Sequence, residues 1–215
     1  DLTYDGRNYT YITGLLLAGQ ESGVSPYHLA SRILQEQGNS GYGSSISGTQ
    51  SGYWGYYNYY NIGAYASGGL TAVQNGLRYA SRTDSETLRP WNTRMKSIVG
   101  GAINHRKSYI NRGQNTLYYE KFDMTGRGHQ YMTNVLAPRS ESVKSAQGYS
   151  DSNKNNIAFI FRIPVYENMP ENVCEIPTGN GSPNNRLESL YVEDYSITPT
   201  FSYYTTEYSL IVDYE

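Results

Sequence analysis

The segment Ser25-Pro-Tyr-His-Leu-Ala-Ser-Arg-Ile-Leu-Gln-Glu-Gln-Gly38 carries the signals of one complete helix. A serine followed by a proline is typical of an N-cap and first turn, and a glycine is typical of the position after a helix ends. The apolar residues between these signals recur at helical spacing on one face: Leu29, Ala30, Ile33 and Leu34. The segment therefore predicts a helix that ends at Gly38 and carries Glu36 in its last turn.

Three further helices are predicted from the same periodicity. They cover Asn8 to Gln20, Leu70 to Ala80 and Pro90 to Arg112. Residues 39–65 separate the second helix from the third and show no helical period, because Gly, Ser and Tyr dominate there. This segment is predicted to be a loop or a small β-lobe, so the expected fold class is mainly α (α+β).

Composition excludes several classes of protein. The 215 residues carry a formal net charge of −2, whereas a nucleic-acid binder is expected to be basic. No apolar run approaches the roughly 18 residues that a membrane span needs. The single cysteine, Cys174, lies between Glu171 and Glu175, which disfavour a thiolate nucleophile. Phosphate-binding glycine loops and metal-ligand spacings of His or Cys do not occur, so no cofactor and no metal are expected.

The pattern changes after Ala137-Pro138. Ser140 to Asn156 is polar and is predicted to be linker-like, whereas Ile157 to Ile163 is an apolar run typical of a buried strand. Pro177 to Asn185 is predicted to be a second linker. Two alternating stretches follow and are predicted to be short strands: Leu187 to Val192 and Tyr208 to Val212.

Glu36 is the most informative carboxylate. Its place at the C-terminal, negative end of a helix, beside a segment rich in aromatic rings, favours the protonated form that a general acid requires. The alternative is a solvated glutamate in the last helical turn. Position alone does not separate these two interpretations.

A set of short motifs, in one collinear order over about residues 5–145, resembles the glucosaminidase domains of glycoside hydrolase family 73. The likeness is closest to clostridial and bacillar autolysin catalytic domains. The motifs are Leu29 to Gly38, Ser47-Gly48, Gly55-Tyr-Tyr-Asn-Tyr-Tyr-Asn-Ile-Gly-Ala-Tyr65, Pro90-Trp-Asn92, Ile98-Val-Gly-Gly-Ala102, Tyr109-Ile110, Gly113-Gln-Asn-Thr-Leu-Tyr118 and His129-Gln-Tyr-Met-Thr133.

The resemblance implies a lysozyme-like fold, with a helical lobe, a small β-lobe and a cleft between them. It implies an endo-β-N-acetylglucosaminidase that acts on the glycan strands of peptidoglycan, secreted to the cell wall of a Gram-positive bacterium and expected to be a monomer. Glu36 matches the family's catalytic acid and Tyr131 a tyrosine near the reacting sugar. The other residues expected to line the cleft are Tyr56, Tyr57, Tyr60, Asn61, Tyr65 and Gln130.

The expected organisation has three parts. Residues 1–145 form the catalytic core, residues 146–183 a strand-containing extension and linker, and residues 184–215 a partial β-sandwich-like segment. The last part weakly resembles the start of a cadherin-like repeat, through Ser182 to Val192 and Ile197 to Phe201. A complete sandwich needs about 100 residues, so this repeat is either truncated or packs on the main domain as a short β extension.

Two other functions remain open. A non-catalytic glycan-binding module would use the same aromatic segment without chemistry, and a lytic transglycosylase could use the same fold. The second catalytic group is also open, because Trp54 stands where related domains often carry a glutamate. No carboxylate occurs between Glu36 and Asp84. The candidates are the 2-acetamido oxygen of the substrate, or a water activated by Glu120 or Asp123, whereas Asp84 and Glu86 are expected to cap the fourth helix.

Overall fold

The computed structural model describes residues 2–38, 40–123, 129–131, 134–156 and 171. Asp1–Asn155 form one compact unit and Asn156–Glu215 a second. No helix among the described residues has both the length and the apolar character to cross a membrane. The strands predicted at Ile157 to Ile163 and beyond lie outside the described residues, and the domain limits at 145 and 183 remain predictions.

The first unit is mainly helical, which confirms the predicted class. A hairpin comes first, with β1 (Thr3–Tyr4) antiparallel to β2 (Arg7–Asn8), and Thr3 lies opposite Asn8. The helices follow in chain order: α1 (Tyr11–Ser22), α2 (Pro26–Gln37), α3 (Ser44–Ser47), α4 (Ala72–Ser81), α5 (Arg94–Ser108), α6 (Leu117–Lys121), α7 (Ala137–Gln147) and α8 (Asp151–Asn156).

Threonine hydroxyls decide where the longer helices begin. Thr10, Thr71 and Thr93 each accept a hydrogen bond from a backbone N–H in the first turn of α1, α4 and α5. The prediction that Asp84 and Glu86 cap the fourth helix is wrong. The Asp84 side chain caps a separate 3-10 turn, Ser85–Thr87, and also pairs with Arg89.

The core lies around α1, which packs against both α5 and α2. Met95, Ile98 and Val99 of α5 are fully buried with Ala18 of α1 and Leu29 of α2. Each large apolar side chain buried in this way contributes about 1.5–3 kcal/mol. This packing fixes α2, and with it the helix end that carries Glu36.

The segment between α2 and α4 consists of turns and the short helix α3. Among the described residues, strand pairing is confined to β1 with β2 and to two isolated bridges, one of which joins Ser67 to Leu70. The small β-lobe expected here is therefore a loop. It is held by the buried Asn58, whose Nδ2 donates to the carbonyls of Ile62 (2.8 Å) and Gly76 (2.9 Å).

The polar stretch predicted to be a linker after Ser140 is helical. It forms α8 and most of α7, and α7 packs against α2. Glu141 of α7 is buried and lies 2.9 Å from Arg32 of α2. Since a buried ion pair, not an apolar stripe, joins α7 to the unit, hydrophobic periodicity could not reveal this helix.

Candidate active site

Three of the predicted site residues meet at the end of α2. Glu36 is half-buried, and its Oε1 accepts a hydrogen bond from the hydroxyl of Tyr131. Its Oε2 accepts one from Asn61 Nδ2 at 3.1 Å, and the same amide also donates to the Glu36 carbonyl at 2.9 Å. Within the described part of the chain, each oxygen of Glu36 therefore has one oriented donor and keeps a lone pair for a further partner.

The position of Asn61 depends on a rigid turn. Its φ is +49°, in the left-handed region that asparagine tolerates better than most residues. The preceding residues are fixed by Gln37, whose Nε2 lies 3.1 Å from the carbonyl oxygen of Asn58 and 3.0 Å from that of Tyr59. This role of Gln37 was not predicted from the sequence. Its place next to Glu36, at the same helix end, was the available signal.

Two side chains pack against the Tyr131 ring and hold it in place. The Arg32 guanidinium lies 3.5 Å from the centroid of the Tyr131 ring, and the Tyr109 ring packs edge-on with centroids 5.7 Å apart. Burial raises the pKa of Tyr131 well above 10, although the nearby charge of Arg32 opposes this shift. The phenol therefore stays protonated at neutral pH and donates a hydrogen bond to the Glu36 carboxyl.

Arg32 belongs to a buried charge network behind Tyr131. Its Nη2 pairs with Glu120 Oε2, and its Nη1 lies 2.9 Å from Glu141 Oε1 but out of line for a hydrogen bond. Burial alone would raise the pKa of Glu120. The hydrogen bond and charge of His105 and the charge of Arg32 outweigh burial, and they hold this pKa below its ordinary value. Glu120 is therefore an anion that anchors Arg32.

The spacing of three residues in α2 is a sequence signal for this network, which was not predicted. His28, Arg32 and Glu36 are spaced by four residues and therefore share one face of α2. A polar stripe of this kind is usually exposed to solvent, whereas here Arg32 is 1% exposed and the stripe faces the protein interior. Arg32 and His28 are the functional candidates that this stripe adds to Glu36.

The other predicted cleft residues have different surroundings. Tyr60 is only 4% exposed, and its hydroxyl donates to the Ile98 carbonyl at 3.1 Å, so the prediction that it faces substrate is wrong. Tyr65 is 65% exposed, Gln130 is exposed, and Tyr56 is half-buried. Tyr57 is half-buried, with Arg94 at 4.9 Å from its ring centroid. A hydrophobic period does not distinguish a core tyrosine from a surface one, which explains the error at Tyr60.

Glu120 and Asp123, the carboxylates considered as a second catalytic group, are engaged elsewhere, as are Asp84 and Glu86. Glu120 is 1% exposed and paired with Arg32, so it cannot activate a water on a bound sugar. Asp123 accepts the backbone N–H of His129 at 3.0 Å, within its own loop. Asp84 pairs with Arg89, and Glu86 with Lys107. Trp54 is 66% exposed and offers a ring in place of a carboxylate.

A separate cavity of about 460 Å³ lies beside the N-terminal hairpin. Glu36 does not line this cavity. The lining residues are Leu2, Tyr9, Tyr11, Gly41, Tyr42, Ile46, Ser47 and Arg94. Three of these residues are tyrosines, which suit the apolar faces of sugars. The hydrogen bonds around Glu36, not this cavity, define the candidate active site.

Comparison with known proteins agrees with the fold. No family model matches the chain. The chain is 31% identical over 155 residues to the bifunctional autolysin of Staphylococcus aureus strain Mu50, a match that covers 70% of this chain and 12% of that protein. The chain thus spans about an eighth of the length of that relative.

Two crystal structures of S. aureus autolysin E share the fold. The complex with the muropeptide NAM-L-Ala-D-iGlu is 28% identical, with a TM-score of 0.51 over 66% of this chain and 59% of that one. A catalytic mutant in complex with the disaccharide NAG-NAM is 24% identical, with a TM-score of 0.52 over the same shares. The closer likeness to clostridial and bacillar sequences remains a prediction. This chain is homologous to the autolysins of S. aureus, in agreement with its resemblance to the family 73 glucosaminidases.

Proposed function

We propose that this chain is a peptidoglycan hydrolase that cleaves the β-1,4 bond following N-acetylglucosamine, with Glu36 as general acid. The observation that carries the proposal is the pair of hydrogen bonds from Tyr131 and Asn61 to the Glu36 carboxyl. Homology to autolysins supports it, since one relative is an autolysin in complex with a muropeptide. The proposed partner is the glycan strand of peptidoglycan.

Glu36 would act by giving its proton to the glycosidic oxygen as the bond from that oxygen to the anomeric carbon breaks. The two donors then stabilise the carboxylate that remains, because hydrogen bonds to a charged acceptor are stronger than those to a neutral one. Tyr131 suits this role, since its high pKa keeps the phenol proton in place throughout. Arg32 and Tyr109 restrict the Tyr131 ring to the orientation that aims its hydroxyl at Glu36.

The cation that develops at the anomeric carbon needs a nucleophile. We propose that the 2-acetamido oxygen of the same sugar supplies it, since Glu120 is buried and ion-paired and Trp54 has no carboxylate. Substrate assistance retains the anomeric configuration. NMR of early product is expected to show the β-anomer of the new reducing end first. Initial formation of the α-anomer would instead require a second base.

The proposed binding surface consists of Tyr56, Tyr57, Asn61, Tyr65 and Gln130. The exposed Tyr65 ring offers a face for a sugar, and amide groups such as those of Asn61 and Gln130 suit hydroxyl edges. The S. aureus origin of the relatives supports a secreted enzyme that acts at a Gram-positive cell wall. The net charge of −2 supports a partner other than nucleic acid. The monomeric state remains a prediction.

The proposal is tested by mass spectrometry of the fragments released from purified peptidoglycan. Reducing N-acetylglucosamine ends are expected, whereas anhydromuramic ends would identify a transglycosylase and absence of cleavage a binding module. Glu36→Gln should lower the rate by roughly 10²–10⁴-fold, the usual contribution of a general acid. Glu21→Gln is the matched control, because Glu21 is also the penultimate residue of its helix, α1, but is exposed. Equal activity of the two variants would overturn the assignment of Glu36.

A further inference from the structure

A cluster of two histidines and one glutamate lies behind the site and has no part in the proposed chemistry. His28 of α2, His105 of α5 and Glu120 of α6 are far apart in sequence but meet at one point. His28 Nε2 lies 3.1 Å from His105 Nε2 and 3.5 Å from Glu120 Oε1, and His105 Nε2 lies 2.9 Å from the same oxygen. The geometry points to a divalent metal site, of the kind that takes Zn²⁺, with these three side chains as ligands.

The separations match those that a tetrahedral ion imposes. Zinc binds imidazole nitrogen and carboxylate oxygen at about 2.0–2.2 Å, which puts neighbouring ligand atoms about 3.3–3.5 Å apart. The three observed distances lie within a few tenths of an ångström of that range. Two imidazoles and a carboxylate also form a donor set that zinc uses with one further position open.

Without an ion, a single hydrogen on His105 Nε2 has to serve both Glu120 Oε1 at 2.9 Å and His28 Nε2 at 3.1 Å. An imidazole nitrogen carries either one hydrogen or one lone pair. Suppose that His105 Nε2–H donates to Glu120. A lone pair on His28 Nε2 then faces the Glu120 carboxylate at 3.5 Å. A hydrogen on His28 Nε2 would instead point toward the hydrogen on His105 Nε2. A cation at the centre would satisfy all three lone pairs together.

The surroundings fit a metal whose ligands are fixed in advance. Glu120 presents Oε1 to the two histidines, while its Oε2 is held by Arg32, as outer partners hold the carboxylates of metal sites. The buried charges of Arg32, Glu120 and Glu141 sum to −1 when both carboxyls are ionised, which favours an added cation. His28 is 18% exposed, which leaves solvent access on one side. Because the ligands come from α2, α5 and α6, the ion would tie these helices together.

The test uses the whole 215-residue chain with Cys174→Ser, which removes the one thiol that could bind zinc. Calorimetric titration with Zn²⁺ is expected to give one ion per chain, and Co²⁺ should give the visible absorption of a tetrahedral complex. Zn²⁺ should also raise the melting temperature, since it binds the folded chain. No heat and no shift in melting temperature at about 100 µM Zn²⁺ would overturn the proposal.

The three histidines of the chain provide a matched control. Loss of a residue that only supports a metal ligand lowers metal affinity about 10–100-fold. His28→Gln removes a ligand itself, so it should weaken Zn²⁺ binding by more than that. His129→Gln should leave binding unchanged, because His129 pairs with Gln114 and lies outside the cluster. Long-range ¹⁵N NMR of the unsubstituted histidines gives a second readout: Zn²⁺ should shift Nε2 of His28 and His105 and not that of His129. Equal binding by both variants, or a shift of all three histidines, would show adventitious surface binding and overturn the site.

Discussion

Replacement of Arg32 by methionine should be among the most destabilising single changes in this protein. The Arg32 side chain is 1% exposed and pairs with Glu120 and Glu141, which are 1% and 2% exposed. Methionine replaces only the aliphatic stem of the arginine, removes the guanidinium, and leaves the Glu120 anion buried without this partner. Removal of one member of a buried ion pair costs about 3–5 kcal/mol, a large share of the about 5–15 kcal/mol that stabilises a typical domain.

The magnitude should depend on pH. Burial raises the pKa of Glu141 to about 7, so this carboxyl is largely protonated at pH 5.5 and loses little when Arg32 is absent. The charge of Arg32 lowers this pKa, so removal of Arg32 raises it further. At pH 8 the variant must therefore either protonate Glu141 or bury it as an unpaired anion near Glu120. The loss of unfolding free energy should therefore be larger at pH 8 than at pH 5.5. Urea unfolding followed by circular dichroism measures it, with an expected fall in midpoint of about 2 M.

Arg89→Met is the matched control for this experiment. Arg89 also pairs with one carboxylate, Asp84 at 2.8 Å, and also lies over a tyrosine ring, that of Tyr79 at 4.0 Å. Its side chain and that of Asp84 are 13% and 27% exposed, so solvent screens the pair. Its loss should cost about 1 kcal/mol. If Arg32→Met costs no more than Arg89→Met, the Arg32 network is not a buried anchor and the argument from desolvation fails.

Two further outcomes are expected. Tyr131→Phe should lower activity roughly 10- to 100-fold, because a hydrogen bond to a charged group contributes about 1.5–3 kcal/mol. Tyr79→Phe is the control, because Arg89 also covers the Tyr79 ring, while the Tyr79 hydroxyl binds Asn104 and not Glu36. The rates of wall lysis by the two variants are compared. An equal loss of activity in both variants would refute the role of the Tyr131 hydroxyl. Glu141→Gln should flatten the pH dependence of stability. The folded pKa of Glu141, about 7, lies above its ordinary value of 4.5, so its contribution is complete below pH 4.5 and is lost as pH rises through 7. Unfolding measured across that window checks this, and a slope as steep as that of the unsubstituted protein would contradict it.

The sequence by itself determined the helices whose information is local. The segment from Ser25 to Gly38 specifies α2 because its first-turn proline, apolar stripe and terminal glycine lie within 14 residues of one another. The order of short motifs then predicted the homology and the importance of Glu36. Asn61 and Tyr131 were also identified in advance, and the fold brings both to the Glu36 carboxyl.

The tertiary structure alone decided which polar residues are buried. Arg32, Glu120 and Glu141 lie up to 109 positions apart in the chain, and no periodicity relates them. Their pairing becomes favourable only after α2, α5, α6 and α7 have excluded water around them, because burial makes an unpaired charge costly. The same reason applies to Tyr60, which is a core residue because its hydroxyl finds the Ile98 carbonyl inside the bundle. Local patterns thus predicted α1, α2, α4 and α5, whereas α7 and the partners of the buried charges and hydroxyls depended on contacts that form only when the helices pack.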